Sequence, residues 1–160
     1  MLGVRLICVG KLGEKFWAQA VKEYEKRLGA YCKLEIIELP EERLPEDPSP
    51  AQIEAALSKE ADAVRAKLPN GCLVIAMCVE GRERSSEELA RYLADSAAQG
   101  ASHIVFLIGS SFGMHESLKR QAALRLSMSP MTFPHHLMRV MIFEQIYRAY
   151  QINAGSRYHK

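Results

Sequence analysis

The stretch CLVIAMCV (72–79) decides the fold class, because it is apolar at all eight positions. A strand without polar alternation has both faces covered, which is typical of a parallel sheet with helices on each side. Three other runs have the same β-rich composition: VRLICV (4–9), LEIIEL (34–39) and HIVFLIG (103–109). The sequence therefore predicts four strands of a mostly parallel sheet.

Helical patterns separate these strands and continue after the last one. Ser49-Pro50-Ala51-Gln52 and Ser85-x-x-Glu88 have the composition of capping boxes, which begin helices. The predicted helices cover about 14–28, 50–67, 86–99, 116–126 and 136–152. This alternation predicts an α/β protein with an open sheet flanked by helices and right-handed crossovers. No repeat or linker interrupts it, so a single domain over 1–160 is expected.

Composition narrows the class of protein further. The chain has 160 residues, 48% hydrophobic and 25% charged, which is typical of a globular domain. The net charge of +2 is too small to indicate a nucleic-acid-binding protein, but the charge is unevenly distributed. Residues 1–113 contain 14 basic and 17 acidic side chains, whereas residues 114–160 contain 7 and 2. The C-terminal part is either the surface that meets a polyanion or a solvated basic face.

Other classes lack support in the sequence. The four cysteines, Cys8, Cys32, Cys72 and Cys78, form no C-x-x-C pair, so neither a disulfide framework nor a zinc site is predicted. The N-terminal segment lacks the pattern of a signal peptide, and no apolar run reaches the length of a membrane span. We expect a cytoplasmic protein without a metal.

Two segments beside strand ends could bind a ligand, since parallel sheets bind ligands at the carboxyl ends of their strands. IGSSFGMHE (108–116) is either an ordinary turn or a loop whose glycines let the backbone approach an anion or a purine ring. SMSPMTFPHH (127–136) carries two prolines around an apolar segment. It could line a pocket for a flat ring, or form a short edge strand that leads into a helix. His135 and His136 fit a helix start better than a metal site.

The last helix contains LMRVMIF (137–143), with a single charge among apolar residues. A helix that is apolar on several sides is buried on several sides, which favours a partner subunit and most often a homodimer. Arg139 then needs a partner, most simply an acidic side chain of this chain or of the other subunit. Glu144 and Arg148 are spaced to pair with each other. The terminal GSRYHK (155–160) is either a frayed end or part of the chemistry.

Taken together, these motifs resemble the ribosomal RNA large-subunit methyltransferase H family, small SPOUT-class methyltransferases that use S-adenosylmethionine. The resemblance covers essentially the whole chain. Its most specific parts are MTFPHHLMRVMIFEQIYRAYQI (131–152) and the terminal YHK (158–160). It implies a C-terminal trefoil knot, a homodimer, and N3-methylation of a pseudouridine in large-subunit rRNA, preferably in the assembled ribosome.

The resemblance also implies which residues form the site. The cofactor pocket corresponds to Met77, Gly109, Met128, Ser129, Pro130, Met131, Thr132 and Phe133. The residues that act on the substrate correspond to Tyr158, His159 and Arg139. This chain has Met77-Cys78 where the family often has Leu and an acidic residue, and Gly109-Ser110 where it often has Gly-Gly.

Methylation of a ring nitrogen requires the site to deal with a proton and a negative charge. A ring nitrogen must lose its proton before it accepts a methyl group, so the site needs a base or a group that stabilises the anion. Tyr158 or His159 could position or deprotonate the base, and Arg139 or Arg157 could hold negative charge. The tail could complete the partner's pocket. The alternatives are a non-catalytic ribosome- or RNA-binding α/β protein and a flavodoxin-like nucleotide-binding protein.

Overall fold

The apolar runs form one parallel sheet in the computed structural model, which describes residues 1–160. The spatial order of the strands is β2-β1-β4-β3-β5, and helices cover both faces, so the predicted α/β class is confirmed. In chain order the elements are β1 (Gly3–Val9), α1 (Lys15–Leu28), β2 (Lys33–Leu39), α2 (Pro50–Arg65), β3 (Leu73–Glu83), α3 (Ser86–Ala98), β4 (His103–Ile108), α4 (Glu116–Gln121), β5 (Leu124–Ser127) and α5 (His135–Asn153).

The absence of polar alternation in the central strands is explained by two cores, one on each face. In β1, Leu6 and Cys8 face the helices α1, α3 and α5, whereas Ile7 and Val9 face α2 and α4. All four side chains are buried, as are those of β4 from Ile104 to Ile108. A strand in this position is mostly apolar because each of its faces meets a helix layer.

Both predicted capping boxes are formed. The Ser49 hydroxyl accepts a hydrogen bond from the Gln52 N–H (3.2 Å), and the Gln52 side chain accepts one from the Ser49 N–H (2.8 Å). Ser85 and Glu88 make the same pair of bonds at 3.1 and 2.7 Å. These bonds fix the first turns of α2 and α3.

The prediction of a helix over 116–126 is wrong in its second half. Helix α4 ends at Gln121, and Leu124–Ser127 forms a fifth strand that pairs with β3. Leu, Arg and Ala favour a helix locally, and a four-residue strand has too short a pattern to outweigh them. The strand exists because Leu124 and Leu126 pair with Ile75 and Met77, about fifty residues away.

Strand β3 is longer than predicted and carries an irregularity that opens the sheet. Met77 and Arg82 both pair with Leu126, so residues 78–81 bulge out between them. Gly81 lies against β5 at the bulge, where a Cβ would approach the backbone of Arg125 to 2.9 Å. The bulge leaves the carboxyl end of β3 beside an open space.

Helix α5 packs between α1 and α3 and covers the sheet. Much of the apolar surface of α5, from which a partner subunit was predicted, is therefore buried within the chain itself. Leu137 and Met141, one turn apart, remain half-buried and belong to neither core. No helix in the chain combines the length and the apolar character needed to cross a membrane.

Candidate active site

A pocket of about 400 Å³ lies where β3, β4 and β5 end. Seven of the eight residues predicted for the cofactor line it: Met77, Gly109, Met128, Ser129, Met131, Thr132 and Phe133. The eighth, Pro130, is exposed in the turn that carries five of them and does not line the pocket. The parallel sheet brings these distant positions together, because its strand ends meet at one edge.

The proline segment after β5 forms one wall. Ser127 donates a hydrogen bond from its hydroxyl to the Ser129 carbonyl, and the Met131 N–H donates to the Ser129 hydroxyl, both at 3.0 Å. These bonds close a turn, and Pro134 then begins α5. The turn places Met128 and Phe133 on the pocket and leaves Met131 74% exposed at its rim. The wall is therefore apolar, with backbone polar groups along it.

The glycine loop after β4 forms the opposite wall. Ser110 and Gly113 exchange backbone hydrogen bonds of 3.0 and 2.9 Å, which makes a tight reversal. A Cβ on Gly109 would lie 2.4 Å from the Gly113 carbonyl oxygen. Gly113 has φ +95°, a conformation that L-residues rarely adopt. Both glycines are required by the geometry of the loop.

Two glutamates outside the predicted site hold this loop from behind. Glu60 on α2 is 6% exposed and accepts hydrogen bonds from the Ser110 hydroxyl (2.8 Å) and the Glu42 N–H (2.9 Å). Glu41 accepts from the N–H (3.2 Å) and the hydroxyl of Ser111. Nothing local in the sequence indicates these interactions with the loop, because the partners are 50 and 70 residues apart.

His135 also lines the pocket and was predicted only as a helix start. Its Nδ1 is buried without a hydrogen-bond partner. Burial lowers the pKa of this imidazole, and the neighbouring His136 and Arg139 lower it further. His135 therefore stays neutral at neutral pH and adds no positive charge to the pocket.

Acidification is expected to destabilise the protein through His135. The folded pKa is below 6.5, its ordinary value, so the unfolded chain binds a proton that the folded chain does not. This contribution to the free energy of unfolding is complete above pH 6.5 and is lost as the pH falls toward the folded pKa. Urea unfolding of wild type and His135→Gln between about pH 7.5 and 5.5 measures it. The variant should lose less stability on acidification, and equal losses would contradict a neutral buried imidazole.

Arg139 is buried in an ion pair within the chain, as the simpler interpretation predicted. Its side chain is 1% exposed and donates to Glu38 Oε2 and to the Gly10 carbonyl, both at 2.7 Å. Burial alone raises the pKa of Glu38, but the hydrogen bonds from Arg139 and the Leu12 N–H lower it overall. Arg139 does not line the pocket. It connects α5 to the ends of β1 and β2, beside the pocket.

Replacing Arg139 should destabilise the fold strongly. Arg139→Met retains much of the volume but leaves the Gly10 carbonyl without the arginine donor and Glu38 without its cation, with only the Leu12 N–H still donating to it, a change expected to cost about 3 kcal/mol. Arg27→Met is the matched control, because Arg27 pairs with Glu23 on the surface, and it should cost less than about 1 kcal/mol. Urea unfolding compares the two. Equal small losses would show that the buried pair contributes no more than the exposed one.

The C-terminal tail, residues 154–160, lies away from the pocket of its own chain. None of its residues lines that pocket. The Tyr158 hydroxyl donates to Glu144 at 3.0–3.1 Å, and the Tyr158 ring lies against Tyr147 and Arg148. Glu144 pairs with Arg148 at 2.7 Å, as predicted, and also accepts from Tyr24. The tail is therefore docked on α5 rather than frayed.

The hydrogen bonds of His159 assign its tautomer. Its Nδ1 is 3.1 Å from Arg148, which can only donate, so Nδ1 accepts. Its Nε2 then carries the proton and donates to Glu87 at 2.6 Å. Hydrogen bonding to His159 lowers the pKa of Glu87. Both imidazole nitrogens are therefore engaged in hydrogen bonds, which hold the tail between Arg148 and Glu87.

The structure thus separates the predicted site into a pocket, a buried arginine and a docked tail. No group of three or more His, Cys, Asp or Glu side chains is arranged to hold a metal ion.

The family model described as "Predicted SPOUT methyltransferase" matches residues 2–159. The chain belongs to this SPOUT methyltransferase family, a class that agrees with a pocket at the carboxyl ends of a parallel sheet.

Two further comparisons are with individual proteins. It is 45% identical over 159 residues to the ribosomal RNA large subunit methyltransferase H of Ligilactobacillus salivarius (strain UCC118), covering 99% of this chain and 100% of that protein. The solved structure of a probable methylase family protein from Haemophilus influenzae Rd KW20 is similar in fold, with a TM-score of 0.56 and 13% identity. That likeness covers 100% of this chain and 72% of the other.

Proposed function

We propose that this chain transfers a methyl group from S-adenosylmethionine to N3 of a pseudouridine in large-subunit (23S) rRNA, on the assembled ribosome. One observation carries the proposal: seven residues chosen from the family resemblance, spread over residues 77–133, line a single pocket. Family membership and the name of the 45% identical relative support the reaction class and the kind of RNA.

The pocket fits S-adenosylmethionine in size and chemistry. About 400 Å³ is within the range of pockets for ligands of this size. The apolar wall around Met128 and Phe133 suits a flat ring, and backbone N–H and C=O groups can pair with its edge. Gly109 and Gly113 keep the opposite wall free of Cβ atoms. When bound there, the cofactor supplies an electrophilic methyl group on its sulfonium.

We place the acceptor base between this pocket and the tail of a second copy of the chain. The tail does not line its own pocket, so in this conformation the chain lacks the predicted Tyr158 and His159 at the site. Three apolar side chains are exposed at the rim of the pocket, namely Val79, Phe112 and Met131. Leu137 and Met141, which follow Met131 closely in the sequence, remain half-buried. A homodimer in which each tail completes the partner's pocket accounts for both features.

Roles within that site follow from the hydrogen bonds. Both nitrogens of His159 are hydrogen-bonded, so we assign it to positioning the tail, and the N3 proton passes to a group of the substrate or to solvent. Burial and the Glu144 carboxylate raise the pKa of Tyr158, which keeps the phenol protonated as a hydrogen-bond donor. Arg139 holds the Gly10 turn and the start of α5 in place, and Arg157 is left to meet a phosphate.

The remaining features implied by the resemblance belong to the same proposal. The C-terminal third would form a trefoil knot, with which membership of the SPOUT family is consistent. Residues 1–160 would act as one domain in the cytoplasm.

The test is methyl transfer from labelled S-adenosylmethionine to ribosomes or free rRNA from cells that lack the modification. Label on one pseudouridine of the large-subunit rRNA, at N3 by mass spectrometry of nucleosides, is the expected result. A non-catalytic RNA-binding protein would give no label and no cofactor binding by calorimetry, with RNA affinity that depends steeply on salt.

A further inference from the structure

The glycine loop of the pocket is backed by carboxylates that have no cationic partner. Two glutamates near the pocket form ion pairs with basic side chains, Glu80 with Lys119 and Glu38 with Arg139. Glu60 and Glu41 form none. Glu60 is 6% exposed, and both of its oxygens accept hydrogen bonds from neutral groups, the Ser110 hydroxyl and the Glu42 N–H.

A buried carboxylate without a cation is unusual, because charged groups lose hydration energy on burial. The hydrogen bonds from Ser110 and the Glu42 N–H offset part of that cost, but they leave a net negative charge behind the pocket wall. Of the basic side chains that line the pocket, Lys119 is already paired with Glu80, and His135 is neutral at neutral pH. Neither supplies a free positive charge to balance Glu60.

We propose that Glu60, with a smaller contribution from Glu41, makes this pocket select the cationic cofactor over its neutral product. The proposal rests on the proposed function. S-adenosylmethionine and S-adenosylhomocysteine differ by one methyl group and one positive charge on sulfur. A fixed negative charge one hydrogen bond behind the wall favours the sulfonium and leaves the thioether unaffected. Methyl transfer removes the positive charge from the sulfur, so the pocket binds the product less tightly than the cofactor and the product leaves more readily.

The serines connect these charges to the ligand. Ser110 lines the pocket and its hydroxyl donates to Glu60 at 2.8 Å, so one residue separates the Glu60 carboxylate from the pocket. Ser111 is oriented toward Glu41 in the same way. Since the family often has glycine at position 110, the connection through a hydroxyl is a property of this chain's own sequence.

Calorimetry with both ligands tests the proposal. The dissociation constants of S-adenosylmethionine and S-adenosylhomocysteine are measured for wild type, Glu60→Gln, Glu41→Gln and Glu54→Gln. Glu60→Gln should weaken the sulfonium relative to the thioether by roughly three- to tenfold, the effect of a partly screened unit charge at several ångströms. Glu41→Gln, at an exposed position that tolerates the change, should shift the ratio in the same direction by about twofold.

Glu54→Gln is the matched control, because it removes the same charge from the same helix at an exposed site paired with His115. It should leave the ratio unchanged. If Glu60→Gln and Glu41→Gln weaken both ligands equally, the carboxylates only support the loop and the proposal is wrong. Should Glu60→Gln fail to fold, an unchanged ratio in Glu41→Gln overturns it as well. Binding of neither ligand to the wild-type protein would instead refute the proposed function.

Discussion

A protein that lacks residues 157–160 is expected to bind S-adenosylmethionine with the wild-type affinity and to methylate ribosomes at no more than about one hundredth of the wild-type rate. Binding and methylation should separate because the tail lines no part of its own pocket, and we place it against the acceptor base, not the cofactor, in the partner's pocket. Its docking partners are Glu144, Arg148 and Glu87, on α5 and α3. Calorimetry gives the affinity, and single-turnover methylation of ribosomes gives the rate.

Point variants divide the effect of the deletion between its residues. Tyr158→Phe removes only the hydroxyl that donates to Glu144, and His159→Ala removes the anchor between Arg148 and Glu87. Each should retain cofactor binding and lose most of the methylation. Lys160→Ala is the control, since Lys160 is exposed at the very end of the tail. Normal methylation by the deletion protein would exclude the tail from the chemistry.

Mixed dimers can test whether the tail acts in the partner's pocket. Mixed dimers of His159→Ala with a variant that cannot bind the cofactor should recover up to one intact site per dimer. If the tail acted within its own chain, one site of the mixed dimer would lack a tail residue and the other would lack the cofactor. No activity would then be recovered.

Gly109→Ala should weaken cofactor binding strongly. The new Cβ would lie 2.4 Å from the Gly113 carbonyl oxygen and 2.6 Å from its carbon, both backbone atoms that a rotamer change cannot move. The loop must shift, and with it the wall formed by Ser110 and Phe112. We expect the dissociation constant for S-adenosylmethionine to rise by roughly two orders of magnitude, because a displaced wall weakens several interactions with the ligand at once.

Gly13→Ala is the matched control for this substitution. A Cβ at Gly13 has no atom within 4 Å, and its turn follows β1 at the same edge of the sheet. It should bind the cofactor as wild type does. Urea unfolding of both variants shows whether Gly109→Ala remains folded. Wild-type affinity in a folded Gly109→Ala protein would mean that the ligand does not contact this loop.

Local patterns predicted four of the five strands, the two capping boxes and the edge of the sheet that holds the pocket. Apolar runs such as 72–79 identify central strands because burial on both faces leaves no polar position. Ser49 and Ser85 cap their helices through hydrogen bonds to residues three positions away, which the sequence displays directly. The edge that holds the pocket could be chosen because the strand ends of a parallel sheet share it.

The resemblance, rather than any local pattern, assigned the tail to the chemistry, whereas the prolines and apolar residues of 127–136 had already suggested the wall of a pocket. No local rule distinguishes a functional Tyr-His pair from a polar terminus. Strand β5 was missed for a related reason, since its four residues favour a helix until β3 lies beside them.

By itself, the sequence determined the α/β class, the alternation of elements and the edge at which a ligand can bind, because those depend on patterns within a few residues. Only the tertiary structure decided that Arg139 pairs with Glu38, that Glu60 reaches Ser110, and that the tail docks on α5 away from its own pocket. The first two interactions join residues 101 and 50 positions apart. Such pairings depend on how the whole chain packs, so no short stretch of the sequence indicates them.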